Sequence, residues 1–400
     1  MSVRARLRAV VPALLPSAEA DLPELLGLPG RRLLAQRADD ALVVQPLDEA
    51  FAPAGDRVRV PAPWPRRRGT WAVAPDASLA VFAGVHAVRA VEPSGATRWE
   101  VRHGCWYGAC RESHGSYEEY GDRADHRYPD RGSVGFSVDG SFVWAHVRGP
   151  LAVGELGPDV VDEWLLLDPA DGRVLARADA RAAAAGSFHL PHPADPAQMG
   201  LSIGEGQDGA PLRWGRWDGT QLSVTCVGDD LTLMSVSPSG KRLMTVTHDQ
   251  DALAVRDTGG AVLDGLEWDA ETAVPPRPGA EPDDDERPYW DWAGGFVDET
   301  TLIGSTVESE EDWGEGRHWI IDTAGARTPE EITYPAPAGS RPPVAALGDG
   351  GWVTADDSGA TLSVWERGQS RGNSSVFRTK STTVPVRSMS VPKSTGVLFS

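Results

Sequence analysis

The densest group of metal-ligating and nucleophilic residues occupies one short stretch. His103-Gly-Cys105-Trp-Tyr-Gly-Ala-Cys110-Arg-Glu-Ser-His114 supplies two thiols and two imidazoles, and Glu118, Glu119, Asp122, Asp125 and His126 follow closely. The pattern H-x-C-x4-C-x3-H offers four soft or borderline ligands of the kind that zinc takes at tetrahedral reach. His103, Cys105, Cys110 and His114 are therefore the candidate ligands of a structural zinc, which would knit an otherwise irregular loop. Both pairs sit closer together than in a finger-type site. The competing readings are a local Cys105–Cys110 disulfide and a long loop with partly buried cysteines. Apart from this zinc, no cofactor is expected.

Other polar clusters carry weaker signals. Gly204-Glu-Gly206-Gln-Asp-Gly209 matches G-x-G-x-x-G, yet Glu205 and Asp208 would repel a phosphate, and Ala-Pro-Leu-Arg-Trp follows where a helix should start. A hairpin turn, or an acidic loop on a binding face, fits better. His189-Leu-Pro-His192 reads as a turn or a pocket mouth. Trp106, Tyr107, Glu205, Gln207, Asp208, His189 and His192 are the candidate partner-binding residues. No α/β-hydrolase half follows the repeats, so a nucleophile-elbow hydrolase is disfavoured.

Charge narrows the partners. With 38 Lys+Arg against 58 Asp+Glu the formal net charge is −20. An acidic chain repels phosphate backbones and anionic membranes unless it carries a basic stripe, and the main basic cluster is Arg66-Arg67-Arg68. Nucleic acid and membrane are excluded as partners, leaving a protein or a small cationic ligand. Three cysteines cannot make a disulfide framework, which points to a reducing, cytoplasmic setting. Export is the alternative, because Arg4, Arg6 and Arg8 precede a short apolar run. Lysine occurs only at 241, 380 and 393, so 38 − 3 = 35 basic residues are arginine. That bias reads as GC-rich, bacterial coding.

The elements that must position these residues repeat. One unit is a strand, a polar turn and a strand: Trp71–Phe82, Gly135–Trp144, Met234–Val246, Gly295–Ile303 and a degenerate Leu347–Val353. A second is a strand ending in an acidic residue before a Gly turn: Val91–Gly95, Leu167–Gly172, Trp217–Gly219, Arg256–Gly260, Ile321–Gly325 and Trp365–Gly368, with a worn copy at Leu33–Asp48. Asp, Ser, Pro and Gly set the reversals, and alternating apolar residues flank them. Two hairpins in tandem, repeated, describe the four-stranded blades of a β-propeller. The expectation is an all-β chain with a single propeller over 31–368 in a seven-bladed form; six or eight blades are the alternatives. The 338 residues of that span give about 48 per blade, as such repeats require. Residues 1–30 would be a leader. Residues 102–133 form an insertion, and 275–288 an acidic Pro-rich loop. The basic tail, 369–400, is a disordered segment, an out-of-frame terminus or an arm folding on the acidic body.

Trp217-Asp218, Trp268-Asp269 and Trp290-Asp291 echo the WD dipeptide, and Glu92-Pro-Ser-Gly-Ala-Thr-Arg-Trp99 is similar to a quinoprotein repeat. On these residues the chain resembles the WD40-like and quinoprotein-like propeller superfamilies over most of its length, although no regular Gly-His accompanies the dipeptides. Calcium-dependent lactonase propellers use several Asn ligands, whereas this chain has one, Asn373. Because a ring presents loops on two faces and a central channel, the expectation is a non-catalytic binding or scaffolding propeller with a regulatory or accessory role, acting as a monomer. The alternative is a propeller enzyme, a hydrolase or lyase, working at the channel mouth.

Overall fold

Alternating apolar residues between Asp-, Ser- and Gly-bearing turns fold here into antiparallel strands. The structure, a computed structural model, describes residues 2–28, 30–110, 112–149, 151, 156–157, 160–275, 287–308, 316–325, 328–335 and 344–368. The expectations for 369–400, and for all but the ends of 275–288, lie outside the described residues.

Strand β1 (Ser2–Pro12) opens the chain. The first sheet then holds β2 (Glu24–Leu28), β3 (Arg31–Arg37), β4 (Ala41–Leu47) and β5 (Val58–Pro61). The second holds β6 (Thr70–Val73), β7 (Ala80–Ala83), β8 (Ala87–Val91) and β9 (Thr97–Arg102). The third holds β10 (Ser133–Phe136), β11 (Val143–Arg148), β12 (Asp162–Leu167) and β13 (Val174–Asp179). The fourth holds β14 (Gly186–Pro191), β15 (Gln198–Gly204), β16 (Leu212–Trp217) and β17 (Leu222–Gly228). The fifth holds β18 (Leu231–Val236), β19 (Arg242–Thr247), β20 (Ala252–Asp257) and β21 (Val262–Asp269).

The remaining strands are β22 (Pro288–Phe296), β23 (Thr301–Glu308), β24 (Arg317–Asp322), β25 (Glu330–Thr333), β26 (Val344–Ala346), β27 (Gly351–Ala355) and β28 (Thr361–Arg367). With β1 they make one hydrogen-bonded circle of eight strands. It divides at two parallel contacts, Gly294 with Ala345 and β1 with β25, into β22–β25 and β26–β28 plus β1. The first strands of neighbouring sheets pack on one another, so the sheets stand radially as a single β-propeller.

Burial follows from that stacking. Middle strands are covered on both faces, and every residue of β12 is buried. Outer strands alternate, as β21 does. Tryptophans wedge between blades. Trp99 on β9 donates from Nε1 to Pro169 O at 2.9 Å, and its ring lies 2.7 Å from where a Cβ on Gly172 would stand. Gly172 also has φ +74°, so only glycine suits that turn.

The repeated acidic residues turn out to build the turns. Asp76 Oδ1 accepts from Ser78 N, Asp139 Oδ1 from Ser141 N, and Asp257 Oδ1 from Gly259 N and Ala261 N. Such side chains cap their own reversal.

Two expectations need correction. The leader is not outside the ring: Ala5–Pro12 pairs antiparallel with β28, and Ser2–Arg4 pairs parallel with β25. The copy at Trp365–Gly368 takes its outer neighbour from β1. Gly368 N donates to Arg4 O at 2.8 Å, because the chain's beginning supplies that strand.

Candidate functional site

The insertion between β9 and β10 is sewn to the ring at its start. His103 N donates to His86 O, Gly104 N to Arg148 O and Trp106 N to Val85 O, all within 3.0 Å. A Cβ on Gly104 would stand 2.3 Å from Gly149 O, so the backbones approach as closely as only glycine permits. Trp106 is fully buried beneath the guanidinium of Arg148, 4.9 Å above its ring. Further along, Tyr120 OH bonds His86 Nδ1 at 2.7 Å. Arg68 donates to the carbonyls of His126 and, at 3.1 Å, of Gly121. Two short 3-10 turns, Tyr117–Glu119 and Ala124–His126, reverse the chain.

Those turns bring Cys105, Cys110, His114 and His126 together, with one ligand atom from each lying within 4.8 Å of all the others. Cys105 Sγ is 3.4 Å from His126 Nε2, and Cys110 Sγ is 3.4 Å from His114 Nε2. The two Nε2 atoms are 3.1 Å apart. Each sulfur accepts a backbone N–H from two residues on, Tyr107 N and Glu112 N, at 3.4 Å. His126 Nδ1 meets Asp125 Oδ1 at 2.9 Å, and His114 Nδ1 lies 3.6 Å from Glu119 Oε2. Cys105, His114 and His126 are buried and Cys110 is half-buried. Burial pushes the Cys105 thiol up to about 12. Burial, then the neighbouring His126, holds His114 below the usual histidine range. Two thiols and two imidazoles at these separations can hold a metal ion.

His103 stands outside this group. Its Nδ1 bonds Gly104 O at 2.7 Å, and its ring packs edge-on to Trp106. His126 takes the place expected for it, because the Ala124–His126 turn folds back over the cysteines whereas His103 is committed to the blade edge. The signal available for His126 was the adjacent Asp125, a second-sphere carboxylate for a ligating imidazole.

The other candidates scatter. Trp106 is in the core, out of reach of a partner, while Tyr107 is half-buried against the His126 ring. Glu205 accepts Ala183 N at 2.6 Å, and Gln207 and Asp208 are exposed on the 3-10 turn Gly206–Asp208. Both ring nitrogens of His189 are engaged: Nδ1 with Ser133 Oγ, and Nε2 accepting from Trp164 Nε1, each at 2.9 Å. His192 Nδ1 accepts Ala194 N and Asp195 N, which makes it a turn residue. His189 therefore keeps no free nitrogen for a base to use, and His192 has its Nδ1 committed to its turn.

A cavity of about 870 Å³ opens at the other end of the ring, where the inner hairpin turns of the second, third and fourth sheets meet. Pro75, Asp76, Val138, Asp139, Pro169 and Pro193 are among its lining residues. Burial alone would raise Asp76 and Asp139, but hydrogen bonds from Ser78, and from Ser141 and Ser137, bring both below the usual carboxylate range. Both carboxylates therefore stay ionised. Arg31 donates to Pro75 O and Arg98 to Glu92. No histidine or cysteine lines this cavity among the described residues. A smaller cavity, about 510 Å³, lies beside the insertion and touches Cys105, Cys110, Arg148 and Glu163.

No protein-family model matches the chain, and no curated protein matches its sequence. Among solved structures it is similar to the WD40 domain of Pan2 from Neurospora crassa, at 12% identity over 92% of this chain and 98% of that one, TM-score 0.49. BamB from Moraxella catarrhalis is 12% identical over 90% of this chain and 99% of that one, TM-score 0.41. The acylaminoacyl peptidase of Pyrococcus horikoshii is 8% identical over 87% of this chain and 52% of that one, TM-score 0.44. The chain thus carries a generic resemblance to WD40 and other β-propeller domains. Among the described residues no helix is long and apolar enough to cross a membrane.

Proposed function

We propose that this ring is a non-catalytic interaction module that takes a short basic segment of a protein partner at its hairpin-turn end. The observation that carries this reading is the chemistry of the larger cavity. Its carboxylates are committed to capping turns and held ionised, and its prolines give a rigid apolar floor. The lining hydroxyl of Ser78 donates to Asp76, 2.7 Å away, which is engaged in capping the turn, and no histidine stands beside it among the lining side chains described. Pre-formed, partly apolar surfaces with a few fixed charges suit recognition.

Net charge supports the choice of a basic segment. Without the five basic residues of 369–400 the body holds 38 − 5 = 33 Lys+Arg against 58 Asp+Glu, a balance of −25. Such a field raises the encounter rate with cationic partners and weakens with salt.

The test is binding of fluorescent peptide pools, Lys/Arg-rich and Asp/Glu-rich, to the full chain. The basic pool should bind preferentially and lose affinity with added salt. Val138→Arg and Ala194→Arg, which place cations on the cavity wall, should weaken binding roughly tenfold, about 1.4 kcal/mol, without changing the melting temperature. Equal binding of both pools, or variants that bind as well as the parent, would sink the proposal.

A further inference from the structure

We propose that Cys105, Cys110, His114 and His126 bind a single zinc ion as a closed, structural four-coordinate centre that fastens the insertion to the ring. The site is at the opposite end from the cavity above, and it stands or falls independently of that reading.

Three observations carry it. The first is spacing. A tetrahedral zinc with Zn–S of about 2.3 Å and Zn–N of about 2.05 Å needs S···N edges of about 3.5 Å and N···N edges of about 3.3 Å. The chain presents S···N separations of 3.4 Å twice and an N···N separation of 3.1 Å.

The second is orientation. Both imidazoles turn Nε2 inward and Nδ1 toward a carboxylate, Asp125 for His126 and Glu119 for His114. A carboxylate behind Nδ1 fixes the tautomer whose Nε2 lone pair faces a metal. Glu119 is itself anchored, accepting Gly115 N at 3.0 Å. Asp125 is held by Arg123 at 2.8 Å. The backbone N–H groups of Tyr107 and Glu112 aim at the two sulfurs, where they would offset charge on bound thiolates.

The third is burial without another purpose. In the metal-free state two imidazole Nε2 atoms face each other at 3.1 Å among two thiols. Burying polar atoms is costly unless they are paired; three of the four ligand residues are buried and Cys110 is half-buried, and one cation would engage all four atoms. On binding, the two thiols lose their protons to water, so the centre of two thiolates, two neutral imidazoles and Zn²⁺ carries no net charge. Thiolate and imidazole ligands select zinc over calcium or magnesium. With four protein ligands no position is left for substrate, which makes the role structural.

The test uses the full chain purified without chelator. Metal analysis should find about one zinc per chain, and exchange with Co²⁺ should give the strong visible bands of tetrahedral thiolate coordination. Cys226 is exposed and serves as an internal control. One thiol should react with a thiol reagent in the native protein, and all three after chelation. Cys110→Ser and His126→Gln should lose the metal, whereas His103→Gln should keep it. Cobalt titration of the parent chain decides the matter should a variant fail to fold. Three results overturn the proposal: a chain that takes up neither zinc nor cobalt, a Cys105–Cys110 disulfide in the native protein, or retention of the metal by His126→Gln.

Discussion

At the scale of single residues, the side chains that matter are those with more than one commitment. Arg213 is buried and donates to the carbonyls of Ala180, Arg181, Leu212 and Gly228 and to Asp229. It thereby ties the end of the third sheet to the fourth. Arg213→Met keeps most of the stem and removes the guanidinium, stranding several buried acceptors. A loss of about 3 kcal/mol is expected, read as a shift in the urea midpoint. A midpoint within about 0.5 kcal/mol of the parent would mean that these bonds add nothing net. The metal cluster shows how far residue types alone reach. Cys105, Cys110 and His114 are legible, because their spacing keeps them within one short loop. His126 is not, because its approach depends on Arg68 and Tyr120 holding the chain reversal from the ring side. His103 looks equivalent in sequence, yet its ring belongs to the edge of β9.

At the scale of elements, closure of the ring is the least local event. β1 is the outer strand of the last sheet, and Val3, Ala5 and Val11 are its buried positions. Removing residues 2–12 exposes that sheet's edge and loses about 3–6 kcal/mol from the two valines alone. The shortened chain should therefore melt much lower, and a synthetic peptide of residues 1–12 added in trans should restore the melting temperature in a concentration-dependent way. Unchanged melting without the strand would show that closure does not depend on it. The hairpins were legible because each turn is written locally, in an Asp that caps it and a Gly that permits it. The closing strand was not, since its partner β28 is at the far end of the chain. Its own signal was present: Arg4, Arg6 and Arg8 alternate with Val3, Ala5 and Leu7, a period of two. Grouped as basic residues before an apolar run, they suggest a targeting segment. In the fold Arg6 pairs with Glu366, and Arg8 with Asp349 at 3.2 Å.

At the scale of the whole molecule, the ring keeps histidines neutral in its interior, and that sets its response to acid. Burial drives His146 down to about 3 and His318 to about 4, and holds His189 well below its ordinary range. An unfolded histidine takes a proton below about 6.5, while these stay neutral in the fold. Their stabilisation is therefore complete above pH 6.5 and is lost as pH falls toward the folded values. For three groups, one unit below 6.5 costs about 4 kcal/mol in total, at about 1.4 kcal/mol per group. Asp162 works in the opposite direction. Burial raises it to about 6, with Arg148 lowering it only in part, so between 6 and 3.8 it holds a proton that the unfolded chain has released. It also lies 3.7 Å from His146, where a charged imidazole would find a partner. His86 and His103, each driven by burial to about 4, act with these three, and Glu24, raised by burial to about 7, acts with Asp162; the larger number of imidazoles leaves a net loss. The measurement is the urea midpoint at pH 7.5, 6.5 and 5.5, made on Cys110→Ser so that acid release of a metal does not contribute. The midpoint should hold from 7.5 to 6.5 and then drop. A flat or rising midpoint down to pH 5.5 would mean that these histidines find proton-accepting partners inside the ring, and that its interior tolerates charge.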